Sequence, residues 1–444
     1  MRQTNKIRKG IAWLLCTVLV LGILPMLPQI SMQISAAENA ASVFVDGVEL
    51  HAGSQEYFKN GDTADSGATG TYEDHSAYYD TAGELWLNNL EAHTIKANGN
   101  LTIYVCNNQA TNTNIVTAKQ NETAIEVTGY LTIRYGGYGG GTGSLTVESD
   151  GKEAIQAGSG MTVSDGVEVK VRAKSGATAI SSGGVLKIDG IRTKLEAAGD
   201  GSTGKGIFAQ QSIYVKNSAV LTAFGGAAAY ESPSGIDKSG YGYEDYNVFI
   251  GDAAPGTQAA KDTVLDGYKY IRIEPTGVAN VKTLTELQAA AQNQYISLIN
   301  VMNDITITDT VYVRRAVTIQ SPDASNVSKL IRGKSHTDVI LDFDGANGHK
   351  SDVVTLKNII VDGNKDGNTQ TASPALKSKS ILVDLESGTV IENNHAKEGA
   401  AIYVNHYSTV TMKEGSEIRN NVSESDGTVY VIGNGGYFEM AGRT

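Results

Sequence analysis

The chain has 444 residues, including 50 glycines, seven prolines and two cysteines, and its net charge is −12. A negative charge argues against nucleic acid and anionic membranes as partners, because both are polyanions. Many glycines with few prolines indicate turns between strands whose N–H groups are in use, which excludes a collagen-like chain and argues against disorder. Only Cys106 lies outside the N-terminal segment, so stability must come from a large core and not from disulfides.

The first 37 residues have the order of a secretory signal. Basic residues lie within positions 2–9, an apolar run follows over 11–27, and Ser35-Ala36-Ala37 offers small residues for cleavage. The alternative is an uncleaved anchor, but Pro25 fits processing better. The sequence therefore predicts a secreted or cell-surface protein whose mature chain does not insert into a membrane.

The segment 43–48 then predicts an opening hairpin, and short strands recur over residues 120–225. Corresponding strands begin at spacings of 30, 25 and 27 residues, at Ala124-Ile125, Ala154-Ile155, Ala179-Ile180 and Gly206-Ile207. Two further strands with alternating apolar and polar residues follow each start, and three short strands are the content of one three-sided coil. The pattern predicts an all-β fold, a right-handed parallel β-helix. A β-sandwich is the alternative, but its strands would be longer and would lack this register.

Residues 225–262 interrupt the repeat, and Pro275-Thr276-Gly277 indicates a linker. Thr283 and Glu286 then have the spacing of a capping box. The sequence predicts one short helix over 283–291 that covers the open end of a second stack of coils.

The second stack repeats most clearly near the end of the chain. Ile391-Glu392-Asn393-Asn394 matches Ile418-Arg419-Asn420-Asn421, and Ala401-Ile402-Tyr403-Val404 matches Thr428-Val429-Tyr430-Val431, both at an offset of 27 residues. Asparagines stacked at one corner are expected to bond along the solenoid axis.

These features predict three parts in the chain. Residues 1–37 are the signal peptide, residues 38–275 form a first β-helix domain, and residues 276–444 form a second. The last strand is predicted to leave an uncapped sheet edge, so we expect the second domain to be incomplete at its C-terminus.

Two stretches resemble known families. The turns Asp150-Gly151-Lys152-Glu153-Ala154-Ile155 and Gly204-Lys205-Gly206-Ile207 make residues 44–275 similar to the carbohydrate-binding β-helix family of clostridial exported proteins. That resemblance implies a pectate-lyase-like fold that binds cellulose or acidic plant polysaccharide, with calcium. The paired aspartates common at this turn are represented by Asp150 alone. Through the repeats quoted above, residues 279–444 resemble the pectate-lyase-like repeats of bacterial surface adhesins.

One segment has the pattern of a calcium loop. Asp362, Asn364 and Asp366 stand at positions one, three and five, with Gly367 at six. Ser373 stands where a bidentate Glu is expected, and the alternative is an Asn- and Asp-rich turn without an ion. The first three residues are the candidate metal ligands, and calcium is the one cofactor considered.

Catalytic motifs are not found in the sequence, and no catalytic residue is predicted. A calcium-dependent pectate-lyase-like enzyme would need a basic residue near the acidic turns, and Lys365 and Arg332 are the candidates. This lyase is the first alternative function, and a structural surface stalk is the second.

Aromatic residues carry the preferred hypothesis, because flat rings stack on sugars. The candidate carbohydrate-binding residues are five tyrosines predicted in loops: Tyr135, Tyr138, Tyr241, Tyr243 and Tyr246. The alternative is that these tyrosines only pack against the protein. Trp86 alternates with Leu85 and Leu87, so it is either a platform on the solvent face or the start of the core. We predict a non-catalytic polysaccharide-binding adhesin whose partner is a plant cell-wall or acidic glycan.

Overall fold

The computed structural model describes residues 39–71, 74–106, 113–137, 143–237, 244–260, 263–345, 351–368 and 371–441. The predicted signal peptide lies outside these ranges. The described residues form a parallel β-solenoid of the right-handed type, with about 12 turns and a single short helix. The predicted fold class is therefore confirmed. No helix within these ranges has the length and apolar character needed to cross a membrane.

One sheet, which we call sheet A, runs through the whole solenoid. Its strands, with the two strands of an attached arm given last, are Glu91–Ala92, Asn114–Gln120, Ser144–Asp150, Glu168–Lys174, Lys194–Gly199, Val220–Gly225, Tyr270–Val281, Leu298–Val301, Val317–Gln320, Val353–Lys357, Leu382–Leu385, Thr409–Lys413, Tyr437–Ala441, Glu244–Gly251 and Thr257–Gln258.

Two further sheets complete the first stack. Sheet B consists of Ser42–Val45, Val48–His51, Ile95–Ala97, Ile125–Val127, Ile155–Ala157, Ile180–Ser182, Lys205–Ala209 and Ala228–Glu231. Sheet C consists of Glu56–Phe58, Ala77–Tyr79, Glu84–Leu87, Leu101–Val105, Tyr130–Tyr135, Gly160–Ser164, Leu186–Asp189 and Ile213–Lys216.

Two different sheets complete the second stack. Sheet D consists of Ile305–Ile307, Lys329–Arg332, Ile360–Asp362, Val390–Glu392 and Glu417–Arg419. Sheet E consists of Val311–Val313, Leu341–Asp344, Leu376–Lys379, Ile402–Val404 and Val429–Val431. A two-stranded pair, His395–Ala396 with Val422–Ser423, lies between them in sequence.

The core consists of side chains stacked in register from coil to coil. Ile125, Ile155 and Ile180 are partners on neighbouring strands, and Ile207 continues the row. All four are fully buried, and burial of one such side chain contributes about 1.5–3 kcal/mol. The residues that the sequence repeat aligns are therefore the residues that pair between neighbouring coils.

The opening hairpin covers the first end of this core. Ser42–Val45 pairs antiparallel with Val48–His51 and also with Ile95–Ala97. Asp46 and Gly47 both have positive φ, 50° and 82°, as a tight type I′ turn requires. The predicted hairpin is confirmed.

The two stacks meet at the strand Tyr270–Val281. Its first half pairs antiparallel with Val220–Gly225, and its second half pairs parallel with Leu298–Val301. Ile273 belongs to the first hydrophobic cluster and Ala279 to the second. Sheet A is thus continuous while the core divides, and the assignment of two separate domains stays a prediction.

Helix α1, Leu284–Gln292, lies at this division. The side chain of Thr283 accepts a hydrogen bond from the N–H of Glu286, and the Glu286 carboxylate accepts one from the N–H of Thr283. Leu287, Ala290 and Ala291 are buried in the second cluster. The predicted capping box and the predicted position of the helix against the second core are confirmed.

Loss of the helix cap has a predictable cost. Replacement Thr283→Ala leaves an N–H of the first turn without its acceptor, so we expect the free energy of unfolding to fall by about 1 kcal/mol. Denaturant titration measures the change. The conservative variant Thr283→Ser keeps the acceptor and serves as the control; equal losses in both variants would contradict the capping role.

Candidate functional site

A groove of about 650 Å³ lies on the outer face of sheet A in the first stack. Its size lies in the range of ligand pockets. The outward-facing residues of neighbouring coils form the floor, because alternate residues of each strand point into the core. The groove is lined by Thr146, Glu148, Lys170, Val171, Arg172, Glu196, Ala197, Ala198, Asp200, Thr222, Phe224, Ala254, Tyr270 and Arg272.

The pairing register arranges the floor in two rows along the solenoid axis. One row is Glu148, Arg172, Ala198, Phe224 and Tyr270, and the other is Thr146, Lys170, Glu196, Thr222 and Arg272. Neighbouring strands lie about 4.7–4.9 Å apart, a spacing similar to the length of one sugar in an extended polysaccharide. The groove therefore presents side chains in rows that follow the solenoid axis.

An arm of antiparallel strands borders the groove. Glu244–Gly251 pairs with Thr257–Gln258 and with Tyr270–Val281. The turn of the arm lies against the ring of Tyr270, because a Cβ on Gly256 (φ +72°) would come within 2.9 Å of that ring. Glycine at this position thus lets the arm close over one end of the groove.

The basic side chains of the groove project further into solvent than the carboxylates with which they form ion pairs. Arg172 contacts Asp200 through Nη2 at 2.6 Å and Nε at 2.7 Å, but the arginine side chain is 54% exposed and the aspartate only 30%. Lys170 with Glu168 and Arg272 with Glu274 show the same order of exposure. The accessible side chains of the groove thus include the basic Lys170, Arg172 and Arg272 beside one exposed carboxylate, Glu196.

Sequence reasoning missed these groove residues. A signal was present, because the strand Glu168–Lys174 alternates charged and apolar residues, which places its charges on one outer face. The arm that turns this face into a groove had no recognisable sequence pattern.

Trp86 lies on the outer face of sheet C, between the buried Leu85 and Leu87. Its ring is parallel to Tyr104 at 4.1 Å between centroids and to Tyr78 at 5.8 Å. Its indole N–H donates to Asp80 at 2.9 Å. The structure thus selects the outer face over the core, but other rings lie against both faces of the indole.

The ends of this aromatic column are also covered. The edge of His75 meets Tyr78 at 5.1 Å, and the guanidinium of Arg134 lies 5.3 Å from the centroid of Tyr104. Each aromatic pair contributes about 0.5–1.5 kcal/mol. The geometry favours stabilisation of the first coils over sugar stacking on Trp86.

The predicted tyrosines differ in their surroundings. The expectation that Tyr246 lies exposed in a loop is wrong: it is 7% exposed within a strand, and its hydroxyl accepts a hydrogen bond from the N–H of Ser218 at 2.9 Å. Tyr135 is half-buried and packs against the first core. Tyr138, Tyr241 and Tyr243 lie outside the described residues, so sugar binding by these three tyrosines stays a prediction.

The candidate calcium loop follows the strand Ile360–Asp362. Asp362 accepts from the N–H of Asn364 at 2.9 Å and lies 3.5 Å from Nζ of Lys329. The Asn364 side chain donates to the carbonyl of Arg332 at 2.9 Å, and Asp366 is exposed. Across the described ranges, no group of three or more His, Cys, Asp or Glu residues is arranged to hold a metal ion. This geometry does not favour an ion here, and calcium binding stays a prediction.

The two candidate bases of a lyase are both engaged. Arg332 is fully buried, and its guanidinium donates to Asn394 at 3.0 Å and to the Ser373 carbonyl at 2.9 Å. Burial lowers the pKa of Arg332 to about 10, so the guanidinium remains protonated at neutral pH. Because the side chain is fully buried, it does not reach a substrate. Lys365 donates to the carbonyl of Asn420 at 2.6 Å. Arg332 is therefore structural, which corrects its candidacy as a catalytic base.

Fold and groove together define a parallel β-solenoid protein with a charged surface groove. Residues 278–382 match the model of a family described as a pectate lyase-like adhesive domain. The match confirms the pectate-lyase-like part of the predicted resemblance and supports an adhesin-like role. No curated protein and no solved structure matches the chain. The resemblance of residues 44–275 to the clostridial carbohydrate-binding family stays a prediction.

The aromatic column gives a stability prediction. Replacement Trp86→Ala removes two ring contacts, so we expect the free energy of unfolding to fall by about 2–3 kcal/mol, while Trp86→Phe loses less. Denaturant titration and glycan retention are measured together. Unchanged stability with lost retention would instead assign Trp86 to a binding surface.

The two candidate bases give a second prediction. Arg332→Ala leaves several buried acceptors without a donor, each costing about 1–3 kcal/mol, so we expect a large fall in melting temperature. Lys365→Ala is the matched control and should change it little, since its bond lies in a more exposed place. Equal melting temperatures for Arg332→Ala and the parent protein would rule out the structural role.

Proposed function

We propose that the protein is a secreted or cell-surface polysaccharide-binding adhesin without catalytic activity, and that its groove binds acidic glycan. The observation that carries the proposal is the set of three accessible basic side chains, Lys170, Arg172 and Arg272, that line the groove. Arginine pairs with carboxylates such as uronates through two parallel hydrogen bonds.

The carboxylates of the groove have a complementary task. Glu148 and Asp200 accept hydrogen bonds, so they are suited to sugar hydroxyls once a ligand displaces solvent. Lys174 contacts Glu148 at 3.1 Å and holds it in place. Charged donors and acceptors that alternate along the rows fit a chain whose sugars carry both carboxylate and hydroxyl groups.

Adhesion is preferred over the lyase for two reasons. The matched family is described as adhesive. In addition, the buried Arg332 does not reach a sugar. A cell-surface or secreted location follows from the predicted signal peptide and is part of the proposal. The structural stalk has no specific observation in its favour.

Retention on immobilised polygalacturonate tests the groove. We expect the parent protein to be retained and Arg172→Ala to bind roughly tenfold more weakly, because a charge-assisted hydrogen bond is worth about 1.5–3 kcal/mol. Added salt should weaken binding of the parent. Lys357→Ala is the matched control, since Lys357 is an exposed cation of the same sheet outside the groove.

Three outcomes would overturn the proposal. The first is a parent protein that binds no acidic glycan, and the second is Arg172→Ala binding at parental strength. The third is a rise of ultraviolet absorbance when the protein is incubated with polygalacturonate and calcium, which would establish the lyase.

A further inference from the structure

The groove on the outer face of sheet A is long and narrow, and its long axis follows the solenoid. Its floor crosses neighbouring strands from Ser144–Asp150 to Tyr270–Val281, so it extends about 19 Å along the axis at the usual strand spacing. The two rows of the floor lie two residues apart on each strand, which is about 7 Å. An extended chain therefore fits along the axis, with about one sugar for each strand spacing.

One end of the groove is closed by the turn of the arm. Tyr270 ends its row and points to the outer face together with its partner Phe224, yet it is only 5% exposed. The backbone of Gly256 lies against the tyrosine ring, since a Cβ on that glycine would come within 2.9 Å of Cδ1. The exposed Ala254 of the same turn lines the groove. A chain that lies in the groove therefore meets this turn and does not continue over the second stack.

The opposite end of the groove has no such barrier among the described residues. There the row of Glu148 continues to its partner Thr117, which is exposed. The row of Thr146 continues to Ile115, which is partly exposed. The groove is thus open toward the first coils and closed toward the second stack.

The closed end presents an apolar surface beside a single basic group. Phe224 is partly exposed and lines the groove with Ala198 and Ala254, and Arg272 lies in the neighbouring row. The ion pair of Arg272 with Glu274 involves Nη2, and a guanidinium carries five N–H donors, so one carboxylate does not use them all. An apolar ring next to a guanidinium matches a uronate, which has an apolar ring face and one carboxylate.

We infer that the groove binds the end of an acidic polysaccharide chain and not its interior. The terminal uronate lies on Phe224 against the turn of the arm, with its carboxylate on Arg272, and the next sugars extend over Arg172 toward the first coils. Because the two ends of a polysaccharide differ chemically, each chain offers one such site. The inference rests on the proposed function of the groove and adds which part of the glycan is recognised.

The number of protein molecules bound per glycan chain tests the inference. Polygalacturonate fractions of increasing length are titrated with the parent protein by calorimetry. We expect one protein per chain at every length, because only one end fits. A groove that binds the interior gives a number that rises with chain length, and that result would overturn the inference.

Tagged oligogalacturonates give an independent measurement. Each carries a bulky fluorescent group at one end or at the other, and each is long enough for its far end to leave the groove. The tag at the recognised end should abolish binding, because the turn of the arm leaves no room for it, and the tag at the other end should have no effect. Equal binding of the two tagged compounds would contradict recognition of a chain end.

Replacement of Phe224 tests where the terminal sugar lies. Phe224→Ala should weaken binding of uronate oligosaccharides roughly tenfold, while Phe224→Tyr keeps the ring and should bind as the parent does. Phe208→Ala removes an outward-facing phenylalanine from sheet B, outside the groove, and is the matched control. Parental binding by Phe224→Ala with an unchanged melting temperature would overturn the inference.

The outcomes separate this inference from the proposed function. If the parent protein binds no acidic glycan of any length, the groove proposal fails and the inference fails with it. If binding depends on Arg172 but the number of proteins per chain rises with length, the groove still binds acidic glycan and only the recognition of a chain end is wrong.

Discussion

The structure depends on parallel, in-register hydrogen bonding between successive coils. Each coil donates and accepts along sheet A through the whole solenoid, and its inward side chains stack on identical positions of the next coil, as in the row Ile125, Ile155 and Ile180. A single coil has no closed core of its own, so stability grows with the number of stacked neighbours. The same pairing register also aligns the outward-facing residues of neighbouring coils in rows.

The rows explain why binding surfaces form without pockets of irregular loops. When residues at equivalent positions differ in chemistry, a row becomes a linear arrangement of charges, as in the groove, or of rings, as in the aromatic column of Trp86. Aromatic rings packed face to face stabilise the coils, whereas exposed basic side chains remain accessible from solvent. Arg172 belongs to the second kind, and Trp86 belongs to the first.

The junction near 275 preserves hydrogen bonding while it divides the core. Tyr270–Val281 carries sheet A across, and helix α1 covers the start of the second core with Leu287 and Ala290. The corners of the coils need a backbone conformation that most residues avoid. Asn393 and Asn420 both adopt a φ of 55° there, which asparagine tolerates better than most residues. The bond along the axis at this corner joins the N–H of Asn394 to the side chain of Asn421 at 2.9 Å.

The sequence by itself determined the solenoid, because strand alternation, coil length and the cap at Thr283 are local properties that a linear pattern records. The alternation in the sequence also showed that the side chain of Trp86 points away from those of Leu85 and Leu87. Only the tertiary structure decided which outward residues are usable. Tyr246 is buried because the arm folds back onto the first stack. Arg332 is enclosed by carbonyls of its own coil and of the next coil, and by the side chain of Asn394. The groove exists because an antiparallel arm pairs with Tyr270–Val281 at one end of the rows that begin at Thr146 and Glu148, an arrangement of segments far apart in sequence that no local pattern encodes.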